Sequence, residues 1–418
     1  MELRTVLVVG TGLIGTSAAL ALRKRGVRVL LADRDPGAVR LARELGAGEE
    51  WLAADQPAPG RYAEKAAGPD ASDGLRAAGP GATAGPDASE GLRPAGPGEP
   101  GDQYSGEPGD QLPGEPVDLA VIAVPPAHVA TELLELQRIG AARFYTDVAS
   151  VKVEPLHRAA QLGCDLASYV ASHPLAGREK SGPGAARADL FLGRPWALCP
   201  TEESDPEARA AVLRLIELCG ANAVEVGASD HDRAVAVVSH APHVAASAVA
   251  ARLADATDVA LGLAGQGVRD VTRIAGSDPG LWLGILSGNA APVAEVLEAV
   301  ATDLADAAGA LRALAEGDGT ATGELTQLLK RGVVGHDRIP GKHGGPASSY
   351  AVVQVVIGDR PGQLARLFLV CDEVGVNVED VRLEHAPGLP LGIAELSVQP
   401  DAVPTLTDAL RERGWEVP

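Results

Sequence analysis

Aromatic residues make up only 3% of this 418-residue chain: four Trp, five Tyr and three Phe. Its cores must therefore be built from Ala, Val, Leu and Ile, and at 46% hydrophobic residues there is enough material for them. Cysteine is as scarce. Cys164, Cys199, Cys219 and Cys371 are scattered without C-x-x-C spacing, which argues against a zinc site or a disulfide framework and fits a reducing cytoplasm. Positive charge is also short: 36 Lys and Arg stand against 56 Asp and Glu, a net charge of -20. Such a chain repels phosphate backbones, and no basic run offsets this, so no nucleic-acid partner is expected. No apolar run approaches the ~18 residues of a membrane span, and no leader precedes the first strand-like segment, so no membrane association is expected.

What is present has a clear order. Thr5–Val9 reads as a buried strand, Gly10–Gly15 as a turn, the Ala/Leu-rich stretch to Arg25 as a helix, and Val27–Ala32 as a second strand. That alternation predicts a parallel sheet, and it resumes at Val117–Val124 and Arg143–Val148. Between these pieces, residues 66–116 hold 12 Gly and 9 Pro, with three Leu, one Tyr and no Val, Ile or Phe. GPDASDGLRAAGPG at 68–81 recurs as GPDASEGLRPAGPG at 85–98, and GEPGDQ at 98–103 recurs at 106–111. A segment with so little to bury is expected to be a disordered insertion made by local duplication. From about residue 180 the pattern reads as helical, with long Ala-rich stretches at 234–256 and 292–315 that suit burial against a second subunit. Residues 331–349 read as a linker. A βαββαβ-like unit follows: strands Tyr350–Ile357, Val376–His385 and Gly392–Val398, with helices Gln363–Glu373 and Ala402–Arg413.

The turn Gly10-Thr11-Gly12-Leu13-Ile14-Gly15 is a G-x-G-x-x-G between strand and helix. Gly10 permits the tight turn, Gly12 the approach of a pyrophosphate, and Gly15 close packing of helix on strand. The N–H groups of Leu13 and Ile14 face the phosphates. The second strand ends in Asp33, which can accept the ribose hydroxyls and repel a 2′-phosphate, favouring NAD over NADP. Arg34 beside it works the other way, since it can accept that phosphate. Val124, closing the third apolar run, is assigned to the cofactor side.

Polar residues gather at what should be the carboxyl ends of the strands. Ser150 lies in TDVASVK, just beyond a strand end, and His173 opens the loop HPLAGREKSG as a candidate general base. His240 and His243, in SHAPH, are three apart at a helix start, but no carboxylate partner sits at ligand spacing, so no metal is expected. Arg273, in DVTRIAGSDPGLW, offers a planar fork for a carboxylate and could equally pair with Asp270.

Taken together, GTGLIGTS, TDVASVK, HPLAGREKSG, VVSHAPH and DVTRIAGSDPGLW resemble the prephenate/arogenate dehydrogenase family of tyrosine biosynthesis, in family order. The resemblance implies an α/β Rossmann domain, followed by an all-α dimerisation domain and a C-terminal α+β ACT-like domain. The boundaries expected are 1–178 for the NAD-binding domain with its 66–116 insertion, 179–330 for the helical substrate and dimerisation domain, 331–349 for the linker and 350–418 for the ACT-like domain. The resemblance implies His173 as catalytic base, with Ser150 hydrogen-bonded to it. It implies His243, with His240 nearby in sequence, on the substrate, Arg273 on the ring carboxylate, and Glu179 near the active-site mouth. Asp270 and Trp282 are supporting positions. Arg178, where the family varies, would tolerate the pyruvyl carboxylate of prephenate and repel the ammonium of arogenate. The implied reaction is oxidative decarboxylation of prephenate to 4-hydroxyphenylpyruvate with hydride transfer to NAD, in a cytoplasmic homodimer.

The last unit resembles an ACT domain through DRPGQL at 359–364 and GVNV at 375–378, which implies Asp359, Gly362 and Asn377 at an effector site with tyrosine as the natural candidate. Three other readings stay open: arogenate as substrate, a β-hydroxyacid or imine reductase, and a sensor that reads NAD and an amino acid without turnover.

Overall fold

Four of the five residues of strand β1 (Thr5–Val9) are buried, as expected of a strand covered on both faces. The computed structural model describes residues 2–51, 116–177, 181–339, 350–385 and 390–418. After β1 come helix α1 (Leu13–Lys24), β2 (Arg28–Ala32), α2 (Pro36–Glu44), β3 (Glu49–Glu50), β4 (Val117–Ile122), α3 (Pro126–Arg138) and β5 (Ala142–Asp147). The five strands form one parallel sheet in the order β3-β2-β1-β4-β5. Alternation along β1 divides its side chains. Val6 and Val8 pack with Ala18 and Leu22 of α1, whereas Leu7 and Val9 pack with Val129 and Leu133 of α3. Helices thus cover both faces, which is the doubly wound arrangement. The sequence segment expected to be a disordered insertion joins β3 to β4 and, apart from Pro116, lies outside the described residues.

Helix α4 (Val153–Gln161) leads to β6 (Ala171–Pro174), β7 (Pro195–Cys199), α5 (Pro206–Leu218) and β8 (Asn222–Glu225). β6, β7 and β8 form a second sheet, antiparallel between β6 and β7 and parallel between β7 and β8. Tyr145 of β5 makes a parallel bridge with Tyr169, so this sheet grows from the edge of the first. This corrects the expected boundary at 179. Residues 195–225 do not open a helical domain; α5 packs Ala211, Val212 and Leu215 into the same core as Val6 and Leu22. The strands escaped notice because they are short and β8 is exposed throughout. The scarce aromatics are concentrated here: Tyr169, Phe191 and Trp196 are fully buried, with the last two rings 4.9 Å apart.

The chain continues as α6 (Ala228–Val235), a π-helical segment Ala236–His240, α7 (Ala241–Ala251), α8 (Asp258–Gly262), α9 (Gln266–Thr272), a 3-10 turn Arg273–Gly276, α10 (Pro279–Gly288), α11 (Ala290–Ala315) and α12 (Thr322–Asp337). Two units result. One comprises residues 1–240 and 277–292, the other 241–276 and 293–418. Ala228–Ala251 form one 24-residue helix containing an 18-residue window of mean hydropathy 1.4, long and apolar enough to cross a membrane, although no uninterrupted apolar run marks it in the sequence. A third of that window is buried, and the helix turns His231, Asp232, His240 and His243 inward, polar side chains that answer to partners within the protein. The linker expected from residue 331 starts later, because α12 runs through Asp337. Residues 340–349 lie outside the described residues.

At the C-terminal end, β9 (Ala351–Gly358), α13 (Gln363–Glu373), β10 (Asp380–His385), β11 (Leu391–Val398) and α14 (Val403–Glu412) build a small α+β unit with antiparallel strand order β10-β11-β9. Its core holds Val353, Val355, Leu367, Leu396, Leu406 and Leu410. The strand expected from Val376 begins only at Asp380, and a final strand is reduced to one bridge between Val356 and Glu416.

Candidate active site

Backbone sterics shape the glycine turn. Gly10 has φ +100, and a Cβ there would stand 2.3 Å from the Ala123 carbonyl oxygen. A Cβ on Gly15 would stand 1.9 Å from the Gly10 carbonyl oxygen. A Cβ on Gly12 would meet nothing within 4 Å, so the backbone at the start of α1 faces open space. That is the cradle a pyrophosphate requires, beside the first N–H groups of a helix. Asp33 stands half-buried at the end of β2. Its Oδ2 accepts the Thr11 N–H at 2.6 Å and the Thr11 hydroxyl at 3.0 Å, and its Oδ1 accepts the Asp35 N–H at 2.9 Å. One acceptor position remains on Oδ1 for a ribose hydroxyl. These residues fit a dinucleotide; Arg34 is exposed and Val124 is half-buried past β4.

The strand ends stand in a row. Ala123 N–H donates to the Val9 carbonyl at 2.6 Å, and Val148 N–H to the Ile122 carbonyl at 3.1 Å. Just beyond β5, a fully buried ion pair joins Lys152 Nζ to Asp147 Oδ1. Lys152 Nζ also donates to the Ser172 carbonyl at 2.7 Å, and the Tyr169 hydroxyl donates to Asp147 Oδ2 at 2.6 Å. Burial, then the Asp147 charge beside it, pushes the Tyr169 phenol well above its usual value, so it stays a donor. Every oxygen of this buried carboxylate is thus occupied, which is what permits a charge there. The Ser172 hydroxyl donates to the Asp147 carbonyl at 2.8 Å and accepts the Trp196 indole N–H at 3.0 Å, locking β6 against β5 and β7.

His173 follows Ser172 on β6. Its Nδ1 lies 2.9 Å from His231 Nε2, with the rings at 74°. His231 Nδ1 lies 2.8 Å from Asp232 Oδ1. Asp232 in turn accepts the Lys152 N–H on Oδ1 at 2.8 Å and the Val153 N–H on Oδ2 at 2.9 Å. These are the N–H groups of the N-cap residue and the first residue of α4, which has no side-chain cap of its own, so a carboxylate 79 residues beyond Val153 serves as the cap. Asn289 Nδ2 donates to the Asp232 carbonyl at 2.8 Å and to His240 Nδ1 at 3.1 Å, and the His240 ring meets Trp282 edge-on at 6.1 Å. Burial, followed by the Lys152 ammonium and then His231 and His240, holds His173 well below the usual imidazole range. Burial likewise takes His240 down to about 4, against the pull of Asp232. Both rings are neutral at pH 7.

The predicted residues fall into groups. His173 and His240 belong to this network. Ser150 sits half-buried two residues past Val148, but the bond expected between it and His173 is absent: the Nδ1 position goes to His231. His243 and Arg273 lie in the second unit, where α7 packs on the turn Arg273–Gly276 and on α9, so the two stand on adjoining elements. Asp270 accepts from Gln266 at 2.8 Å. Arg178 and Glu179 lie outside the described residues. Sequence reasoning missed His231, Asp232, Asn289 and Lys152. His231 and Asp232 each lie four residues before a buried apolar residue, Val235 and Ala236, and that spacing marks them as inward-facing.

The description "Prephenate dehydrogenase, nucleotide-binding domain" matches residues 108–225, and "Prephenate dehydrogenase, dimerization domain" matches residues 227–331. A Streptomyces niveus protein named probable prephenate dehydrogenase NovF is 38% identical over 418 residues, 99% of each chain. The chain belongs to the prephenate dehydrogenase family. The prephenate dehydrogenase of Bacillus subtilis is 27% identical over 67% of this chain and 76% of that one. Among solved structures, prephenate dehydrogenase from A. aeolicus, in complex with hydroxyphenyl propionate and NAD+, has a TM-score of 0.58 at 25% identity, covering 80% of this chain and 98% of that one. An arogenate dehydrogenase from Synechocystis shares the fold with a TM-score of 0.54 at 23% identity, over 80% of this chain and 99% of that one. The two family matches meet at residue 226, where β8 ends and α6 begins, rather than at 179. For a prephenate dehydrogenase, the open backbone at Gly12 is the expected NAD seat.

Proposed function

We propose that this chain catalyses NAD-dependent oxidative decarboxylation of prephenate to 4-hydroxyphenylpyruvate, with His173 as base. The observation that carries the assignment of the base is the placement of the His173 imidazole, tied at Nδ1 to His231 and following directly on the Ser172 peptide that Lys152 pins. NAD, when bound, supplies a two-electron hydride acceptor. As the C4–H pair leaves, the C4 hydroxyl O–H bond breaks; its proton goes to His173 and its electron pair becomes the C=O bond. Loss of the ring carboxylate as carbon dioxide returns a pair to the ring and leaves a phenolate, which reclaims the proton. The aromatic product supplies the driving force, so the protein must position, exclude water and move one proton. A base of this kind contributes roughly 10²–10⁴-fold. Ser150, His243 and Arg273 are the proposed partners of the hydroxyl and the carboxylates.

The proposed assembly is a homodimer in the cytoplasm, with a small-molecule substrate. The second unit leaves Val259, Leu263, Leu304 and Leu329 largely exposed, apolar side chains available for burial by a second copy. We further propose that the C-terminal α+β unit is an ACT domain that takes tyrosine as effector. A cleft of about 360 Å³ there is lined by Asp359, Arg360, Gly362, Leu364 and Leu383, and Gly362, at φ +83, opens α13. Asn377, assigned to the same site from sequence, donates instead to Glu379 at 2.6 Å and is not among the cleft's lining residues.

Absorbance at 340 nm with prephenate or arogenate, NAD⁺ or NADP⁺, with and without tyrosine, tests the reading. Prephenate with NAD⁺ is expected to be the productive pair. Faster turnover of arogenate would reassign the substrate, and no reduction with either would favour the sensor.

A further inference from the structure

The reading of His173 as base leaves one question that the hydrogen-bond geometry answers: which ring nitrogen faces the substrate. Both oxygens of Asp232 accept backbone N–H groups from the start of α4, so the side chain acts as an acceptor. The His231 nitrogen 2.8 Å from Oδ1 must then carry the hydrogen. Taken as carrying a single ring hydrogen, His231 then has a bare lone pair at Nε2. That lone pair lies 2.9 Å from His173 Nδ1, which must therefore be the donor. His173 is left with its lone pair on Nε2.

We propose that His231 and Asp232 are positioning residues that hold His173 in its Nδ1–H tautomer and so present Nε2 as the nitrogen that takes the hydroxyl proton. The claim rests on His173 being the base. It also assigns a second task. When Nε2 gains the proton, the imidazolium charge on His173 is met through His231 by the Asp232 carboxylate. Asp232 is held by the N-terminus of α4 and by Asn289, which donates to its carbonyl, so it cannot turn away. Asn289 also donates to His240 Nδ1, which fixes that ring as a lone-pair acceptor at Nδ1 and keeps it from competing for Asp232. An aspartate that orients a catalytic histidine is worth large factors in other enzymes because the wrong tautomer cannot act as base. Here a second histidine is interposed.

The test uses the full-length chain, labelled with ¹⁵N-histidine. In the wild type, His173 is expected to show its hydrogen on Nδ1. Asp232→Asn leaves one acceptor oxygen where there were two and sets its NH2 against a backbone N–H of α4, so the bond that fixes the His231 tautomer is weakened and its anionic anchor is lost. It is expected to lower kcat on the order of a hundredfold or more, with KM for prephenate nearly unchanged. His231→Gln keeps an acceptor and a donor and is expected to retain kcat within about tenfold, whereas His231→Leu loses as much as Asp232→Asn. If Asp232→Asn does not fold because α4 loses its cap, the wild-type spectrum and the two His231 variants still decide. A hydrogen on Nε2 of His173 in the wild type, or His231→Leu at wild-type kcat, overturns the proposal. His173→Gln separates the two claims. If it is active, the base reading itself fails; if it is inactive beside a fully active His231→Leu, only the relay fails.

Discussion

At the scale of single residues, the glycine turn separates fold from function. Gly15→Ala places a Cβ 1.9 Å from a backbone oxygen that cannot move without disturbing β1. It should cost about 1–3 kcal/mol or more and lower Tm. Gly12→Ala puts its methyl into open space at φ −73, an ordinary backbone angle, so Tm should hold. If that space seats the NAD pyrophosphate, KM for NAD should rise about tenfold or more. Thermal melts beside NAD titrations check both, and a Gly12→Ala enzyme with unchanged NAD affinity would place the phosphates elsewhere. This turn was legible in the sequence because each glycine answers to a local backbone demand. The His173 partner was not. Ser150 stood in the expected motif, whereas His231 and Asp232 lie in the polar stretch Ser229-Asp230-His231-Asp232-Arg233, which reads as a solvated helix start. Only the side chains four residues on reveal that two of the five face inward.

At the scale of elements, the helix 228–251 does what no linear pattern shows. Its π-helical segment Ala236–His240 shifts the residues after it around the axis, and π-segments of this kind are frequent at functional sites. His240 comes to lie against Asn289 and Trp282, buried and neutral. Its pKa falls from the ordinary 6.5 to about 4, so the unfolded chain binds a proton that the folded chain refuses in that window. The stability His240 contributes is therefore full above pH 6.5 and lost as pH falls toward about 4, on the order of 3 kcal/mol in all. His173, also held below its usual range, acts in the same direction. His240→Asn keeps an acceptor for Asn289, and its melts between pH 7 and 4.5 should fall less steeply than those of the wild type. Equal slopes would mean that the wild-type ring takes up its proton without cost. Strands β7 and β8 teach the complementary lesson. Four or five residues give too short a period to read, and β8, exposed along its length, offers no apolar alternation, so their pairing with β6 is a tertiary fact.

At the scale of the whole molecule, the order of Rossmann unit, helical unit and C-terminal α+β unit was legible, because each has its own hydrophobic period. The boundaries were less so, since α5 has the helical period of the second unit and the core position of the first. The helical unit also remains unfinished as a single chain. On α11, Leu304 is 62% exposed and Leu311 58%, seven residues apart and hence on one face. Val259 and Leu263 on and after α8 are 75% and 81% exposed. An isolated subunit would hold all of this in water at a cost of about 25 cal/mol for each Å², so a second copy is the natural cover. In sedimentation velocity at micromolar concentration, the wild type should run at twice 42.6 kDa. Leu304→Glu with Leu311→Glu places two charges on that face and should shift the boundary to the monomer, with loss of activity if the site depends on the paired form. A wild type that sediments as a monomer would leave these leucines in need of another partner.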